Sequence, residues 1–219
     1  MQRLGSLLLK SSEVIQGLRF YSQGIRAIQD LDLLKILQSE INHELTSKPP
    51  AQGDESGSLL DFVLEWDSPK TQDVVLRKKS ESGEEVAISA LLRGQSFEPD
   101  GEFPPATDVK MKVCIKKPGL RSILLFDCEV SNRGEDKSGF NIQNAYYIQS
   151  ASCLSPSVYR GPLFSDLDPQ LQDELKKYLE ARGIGESLLN FLLLRLGKKE
   201  QSQYVNWLQK LESAFRESD

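Results

Sequence analysis

One histidine and three cysteines are the whole supply of imidazole and thiol in this 219-residue chain. His43 stands between Asn42 and Glu44 in a stretch with helical apolar spacing, where it reads as a solvated helix residue and not as a general base. A single imidazole also rules out a histidine-rich metal site. Cys114, Cys128 and Cys153 lie 14 and 25 residues apart, with no CxxC pair and an odd count. Reduced thiols fit that spacing better than a zinc site or a disulfide framework. Cys128 falls on the apolar face of its segment and reads as core. Cys114 shares a face with Lys110, Lys112 and Lys116, whose charges would favour a thiolate. Gly183-Ile184-Gly185 follows a helical pattern instead of a strand and lacks the third glycine of a dinucleotide loop, and no P-loop occurs. No nucleophile can be matched to a base. The residues therefore predict no enzyme, no cofactor and no metal, with a carboxylate pair or Cys114 as the remote catalytic alternative.

Charge is the stronger signal. The formal net charge of -5 argues against a dedicated nucleic-acid binder. Residues 98–108 hold Glu98, Asp100, Glu102 and Asp108 with no cation, and Pro104 and Pro105 bar regular structure there. The spacing is not that of a calcium loop. The plainer reading is a solvated loop, and the functional one is an acidic arm for basic partners. The opposite feature is Arg77-Lys78-Lys79 together with Lys110, Lys112, Lys116 and Lys117. On one continuous face these would offer an alternative function, RNA binding through 77–79 and 110–117. Solvent-side lysines on strands also guard sheet edges, which is the plainer reading.

The first 21 residues differ from the rest. Arg3, Lys10 and Arg19 against Glu13 give +2, which leaves -7 on residues 22–219. Basic, serine-containing and acid-poor is the composition of an organellar transit peptide. Arg19-Phe20-Tyr21-Ser22 resembles the mitochondrial processing pattern, with cleavage between Tyr21 and Ser22 and a mature lead over 22–27. The longest apolar run, Leu188 to Leu196, includes Arg195 and is far short of the roughly 20 residues a membrane span needs.

The elements that would position these groups follow from periodicity. Ile28, Leu31, Leu34, Leu37, Ile41 and Leu45 step by three and four, the stripe of a helix over 28–46, with Leu33 and Ile36 widening it. Residues 47–58, SKPPAQGDESGS, read as a linker. From 59 to 164 the period becomes two. Phe62, Leu64 and Trp66 alternate with polar neighbours. So do Val86 to Leu92, Val109 to Ile115, Leu124 to Val130, and Phe140, Ile142, Tyr146 and Ile148. With 73–79 and a last strand at 157–163 the count is about seven. Connectors such as Ser82-Gly83 and Pro118-Gly119 are too short for crossover helices, so the sheet should be an antiparallel meander. Residues 165–219 return to helix. Asp168 is the N-cap before Pro169, Leu171, Leu175, Tyr178 and Leu179 form the inner face, and Gly183 is the stop. A last helix starts near Glu186, with Gly197 as a point of bending. Leu33, Leu34, Ile36, Leu37, Leu189 and Leu193 are the candidates for helix packing and oligomer contacts.

Val158-Tyr159-Arg160-Gly161-Pro162-Leu163-Phe164, Leu167-Asp168-Pro169, Tyr178-Leu179-Glu180 with Arg182-Gly183-Ile184, and Tyr204-Val205-Asn206-Trp207-Leu208 resemble the mitochondrial acidic matrix protein family. It is also called the mitochondrial glycoprotein family, and includes the animal receptor for complement globular heads. The segments DVVLRKK at 73–79 and 111–130 agree with it, and the likeness runs from about 28 to 215. The resemblance implies an α+β fold: a twisted antiparallel sheet of about seven strands, with one N-terminal and two C-terminal helices on one face. Residues 28–219 would form one domain, and three copies a ring-shaped homotrimer. It implies a non-enzymatic, chaperone-like scaffold of the mitochondrial matrix that supports ribosomes, translation and oxidative phosphorylation. Its partners would be itself, basic matrix proteins such as ribosomal proteins, and RNA as a further candidate, with no membrane span and no small-molecule substrate. The family's longer acidic insertions are reduced here, since 132–138 (NRGEDKS) is nearly neutral.

Overall fold

The computed structural model describes residues 30–46, 61–92, 109–132, 138–150 and 158–216. They fall in two compact units, one holding residues 30–46 and 201–216 and the other lying within 49–200. The larger unit is built on one antiparallel meander of six strands in chain order. These are β1 (Val63–Trp66), β2 (Val74–Lys79), β3 (Glu85–Leu92), β4 (Val109–Lys116), β5 (Ile123–Asn132) and β6 (Ser138–Ile148). β4 shows why: Val109, Met111, Val113 and Ile115 are buried while Lys110, Lys112 and Lys116 are exposed. In an extended chain, successive side chains take opposite faces, so this alternation forces one face into the core.

Two bulges change which face a residue takes. In β1, Leu64 stands opposite Leu76 and Trp66 opposite Val75, so Glu65 is an extra residue. Phe62 is buried and Leu64 partly buried, but Trp66 moves to the other face, where it is exposed and its indole N–H donates to Thr71 Oγ1 at 3.2 Å. In β6, Cys128 faces Ile142 and Asp127 faces Asn144, which leaves Gln143 as the extra residue. Phe140 and Ile142 therefore join the core, whereas Tyr146 and Ile148 stand opposite Leu125 and Ile123 on the outer face, where Ile148 is still buried. The even-numbered alternation through 140–148 is thus broken in the middle.

No strand forms at 158–163, and residue 157 lies outside the described residues. Gly161 takes φ +128°, and a Cβ there would lie 3.2 Å from the Ala145 carbonyl oxygen. Pro162 has no N–H to give to a ladder. The segment instead leads into a 3₁₀ turn, Phe164–Asp166, and then the helices. Six described strands stand where the alternation predicts about seven.

The first helix, α1, occupies 30–46. α2 (Pro169–Glu180) begins as the sequence predicts, with Asp168 Oδ1 accepting from the Gln170 and Leu171 N–H groups. Leu179 is fully buried and Leu175 and Tyr178 partly, but Leu171 is exposed, so the inner face is narrower than its spacing suggests. α3 (Glu186–Arg216) runs through Gly197 as one helix of 31 residues. Leu188, Leu189, Leu192 and Leu196 join Leu179, Ile184 and the inner sheet face in one apolar core.

In the smaller unit, α1 and the second half of α3 run antiparallel. Gln201 Nε2 donates to the Glu44 carbonyl at 3.2 Å, Tyr204 Oη to Glu40 Oε1 at 3.2 Å, and Gln38 Nε2 to Glu212 Oε1 at 3.0 Å. Leu37, Ile41 and Leu208 are buried between them, flanked by Tyr204, Leu211 and Phe215.

Candidate functional site

The Tyr178-Leu179-Glu180-Ala181-Arg182-Gly183-Ile184 run has a structural explanation. Gly183, at φ +91°, reverses the chain after α2. The Ile184 N–H bonds back to the Leu179 carbonyl and the Gly183 N–H to that of Glu180, the Schellman closure, and Leu179 and Ile184 are both fully buried. Arg182 then reaches the β2–β3 turn. Its Nη2 donates to Glu84 Oε2 at 3.0 Å, Nη1 to the Tyr178 carbonyl at 2.9 Å, and the guanidinium lies 3.4 Å from the Tyr178 ring centre. This pair has the planar stacked geometry that lysine could not reproduce.

A second ion cluster ties β1 to α3. Arg195 Nε donates to Asp67 Oδ2 at 2.8 Å, and Lys199 Nζ to Asp67 Oδ1 and the Asp73 carbonyl, both at 2.7 Å. Burial pushes the Asp67 carboxyl up, but the Lys199 and Arg195 hydrogen bonds outweigh it and hold the group below its ordinary value. Neither cluster is legible from spacing, because the partners are 98 and 128 or more residues apart.

The outer sheet face brings together most of the predicted basic group, but not as a continuous positive surface. Arg77 pairs with Glu65 at 2.9 Å and Glu85 at 3.8 Å, Lys79 with Glu85 at 3.8 Å, and Lys112 with Asp127 at 3.9 Å. Lys110 stands opposite Glu129. Lys78 points to the inner side, over the Phe62 ring and within 3.5 Å of Asp61, and Lys117 lies over the Tyr178 ring. Phosphate recognition rests on an unbalanced row of cations, and here acids alternate with them. Cys114 is half-buried on this face. Its thiol is pushed up by burial, against a smaller lowering by Arg77, so the thiolate expected from the flanking lysines is not favoured. Cys128 is core, its thiol pushed up to about 12 by burial and by Asp127. Cys153 lies outside the described residues.

The acidic residues Glu98, Asp100, Glu102 and Asp108, the Tyr21–Ser22 junction and the 47–58 linker also lie outside the described residues. The helix-packing candidates separate. Leu37 is buried against Leu208, and Leu34 is partly buried on the same face. Leu189 is buried and Leu193 partly buried in the sheet core. Leu33 and Ile36 remain exposed, Ile36 by 66%. They follow the helical spacing to Glu40, which accepts from Tyr204, and Tyr204 stacks on Trp207, itself 53% exposed. One edge of the helix pair is therefore an uncovered apolar strip with an aromatic stack. Sequence spacing identified Leu33 and Ile36 but not Trp207.

Among the described residues no cluster of histidine, cysteine or carboxylate could hold a metal, and no helix is long and apolar enough to cross a membrane. An antiparallel sheet backed by helices in an acidic chain defines the class of fold. Residues 37–215 match the Mitochondrial glycoprotein (MAM33) family, and the chain belongs to it. It is 32% identical over 138 residues to the mitochondrial acidic protein Mam33 of Schizosaccharomyces pombe, across 57% of this chain and 49% of that one. It therefore spans about half the length of that relative. An uncharacterised mitochondrial protein of Arabidopsis thaliana is 26% identical over 202 residues, covering 88% of this chain and 78% of its own. The crystal structure of the Trypanosoma brucei p22 protein superposes with a TM-score of 0.62 at 22% identity, over 86% of this chain and 99% of that one. A Leishmania major protein described as a homologue of human p32 gives 0.62 at 21%, over 85% and 99%. Those two likenesses establish the fold. Family membership makes this a mitochondrial acidic protein.

Proposed function

We propose that the chain is a non-enzymatic, multi-partner scaffold of the mitochondrial matrix. It holds basic proteins, ribosomal proteins among them, and so supports translation and oxidative phosphorylation. Membership of an acidic mitochondrial family is the observation that carries this reading. The charge left after residue 21, -7 per chain, would be -21 in a ring of three copies. Such a field draws in basic partners and weakens with salt. Glu98, Asp100, Glu102 and Asp108 form the proposed contact arm. In a matrix pull-down, basic proteins are expected at low salt, to be lost at high salt, and to be lost when the four acids become Asn or Gln. Recovery indifferent to both would discard the acidic-arm mechanism. The RNA reading is weaker, because the outer-face cations alternate with acids.

The proposed scaffold matures by removal of residues 1–21. Terminal sequencing of the protein from isolated mitochondria should begin at Ser22, and a matrix form that retains Met1 would sink this cleavage site.

A further inference from the structure

We infer that the helical pair, residues 30–46 with 201–216, opens as one unit while the sheet unit stays folded. The difference in buried apolar surface carries the inference, which does not rest on the scaffold reading. Among the described residues, three buried side chains, Leu37, Ile41 and Leu208, hold the pair, with Tyr204, Leu211 and Phe215 partly buried beside them. The sheet unit buries twenty in one cluster. Polar ties within the pair are solvent-accessible or half-buried, such as Gln38–Glu212 and Tyr204–Glu40. Bonds of that kind add little against water.

The two helices are also unequal in their own support. A lone helix the length of α1 is marginal in water, because its nucleus is costly. The second half of α3 propagates from a first half already fixed in the sheet core by Leu188, Leu189, Leu192 and Leu196. That half is anchored at Lys199, whose side chain is only 7% exposed and whose Nζ holds Asp67 and the Asp73 carbonyl. Loss of α3 structure should therefore stop near Lys199. Opening uncovers Leu37, Ile41 and Leu208 beside Leu33, Ile36 and Trp207, which are already exposed. The apolar residues of both segments become accessible without unfolding the sheet.

The chain carries its own reporters. It has two tryptophans, Trp66 in the sheet unit and Trp207 in the helical pair, about half exposed at 50% and 53%. In the full chain, Trp66→Phe leaves Trp207 to report on the pair, and Trp207→Phe leaves Trp66 to report on the sheet. Urea titration followed by fluorescence should give a Trp207 midpoint lower than that of Trp66 by about 1 M or more. Amide exchange of the unmodified chain should place 34–46 and 204–216 in one class, at least about 100-fold faster than Val109–Lys116. Leu208→Ala should lower the Trp207 midpoint and leave the Trp66 midpoint where it is. Coincident midpoints, one shared protection class, or equal shifts of both reporters with Leu208→Ala would overturn the inference.

Discussion

Asp67→Asn is expected to lower the stability of the sheet unit by about 2 kcal/mol, below the scale for a fully buried ion pair because Asp67 is 16% and Arg195 37% exposed. Among the described residues, the carboxylate is the anion that both Arg195 and Lys199 reach, at 2.8 and 2.7 Å. Asparagine keeps one acceptor oxygen and loses the charge. Lys199, only 7% exposed, would then be a largely desolvated cation without its counter-ion. The same residue sets a pH dependence. Its folded pKa is depressed, so its contribution is complete above the unfolded-chain value of about 3.9 and is lost as pH falls through the folded value. Urea midpoints measured from pH 7 down to pH 3 should fall steeply for the natural chain below about pH 4 and less steeply for Asp67→Asn. Parallel curves for the two proteins would show that Asp67 is not the linked group.

Both of these long-range ion clusters were illegible in the sequence, and the reason is physical. Periodicity reports the face a residue takes relative to its neighbours. It says nothing about which distant side chain will meet it. The alternation at Val109, Met111, Val113 and Ile115 was sufficient to place β4, because every second residue is apolar and the burial follows without exception. It misplaced Trp66 and Tyr146, because one extra residue in each strand reverses the side-chain direction and leaves no mark in composition, whereas Ile148 is buried as expected although it lies on the other face. The α2 boundaries were legible for the opposite reason. Asp168, Pro169 and Gly183 act on their own backbone within a few residues, so their effect is local. Cys114 shows the limit of reading charge from spacing. Three lysines share its face, but the neighbouring strands bring acids beside Arg77 and Lys112, and burial raises the thiol. The proposed acidic arm at 98–108 rests on charge alone and lies outside the described residues.

A pair of substitutions separates folding from association. Leu189→Asp should prevent folding of the sheet unit. Leu189 is 1% exposed among Leu188, Leu192 and the inner strand residues, with no cation beside it in that apolar cluster. A carboxylate there costs about 5 kcal/mol or more, on the order of the whole stability of a small domain. Loss of the far-ultraviolet signal, or recovery only as insoluble protein, is the expected readout. Ile36→Asp makes the same chemical change at a position 66% exposed on α1. No buried contact is lost, so secondary structure and the Trp66 urea midpoint should stay within about 0.5 kcal/mol of the natural chain. If the proposed ring of three closes over the strip formed by Leu33, Ile36 and Trp207, the same aspartate is buried at an interface between copies. Light scattering on residues 22–219 should then show a trimer for the natural chain and smaller species for Ile36→Asp. A natural chain that scatters as a monomer would refute the ring. A trimer that tolerates Ile36→Asp would move its interface away from this strip and leave Leu33, Ile36 and Trp207 as surface for a different protein.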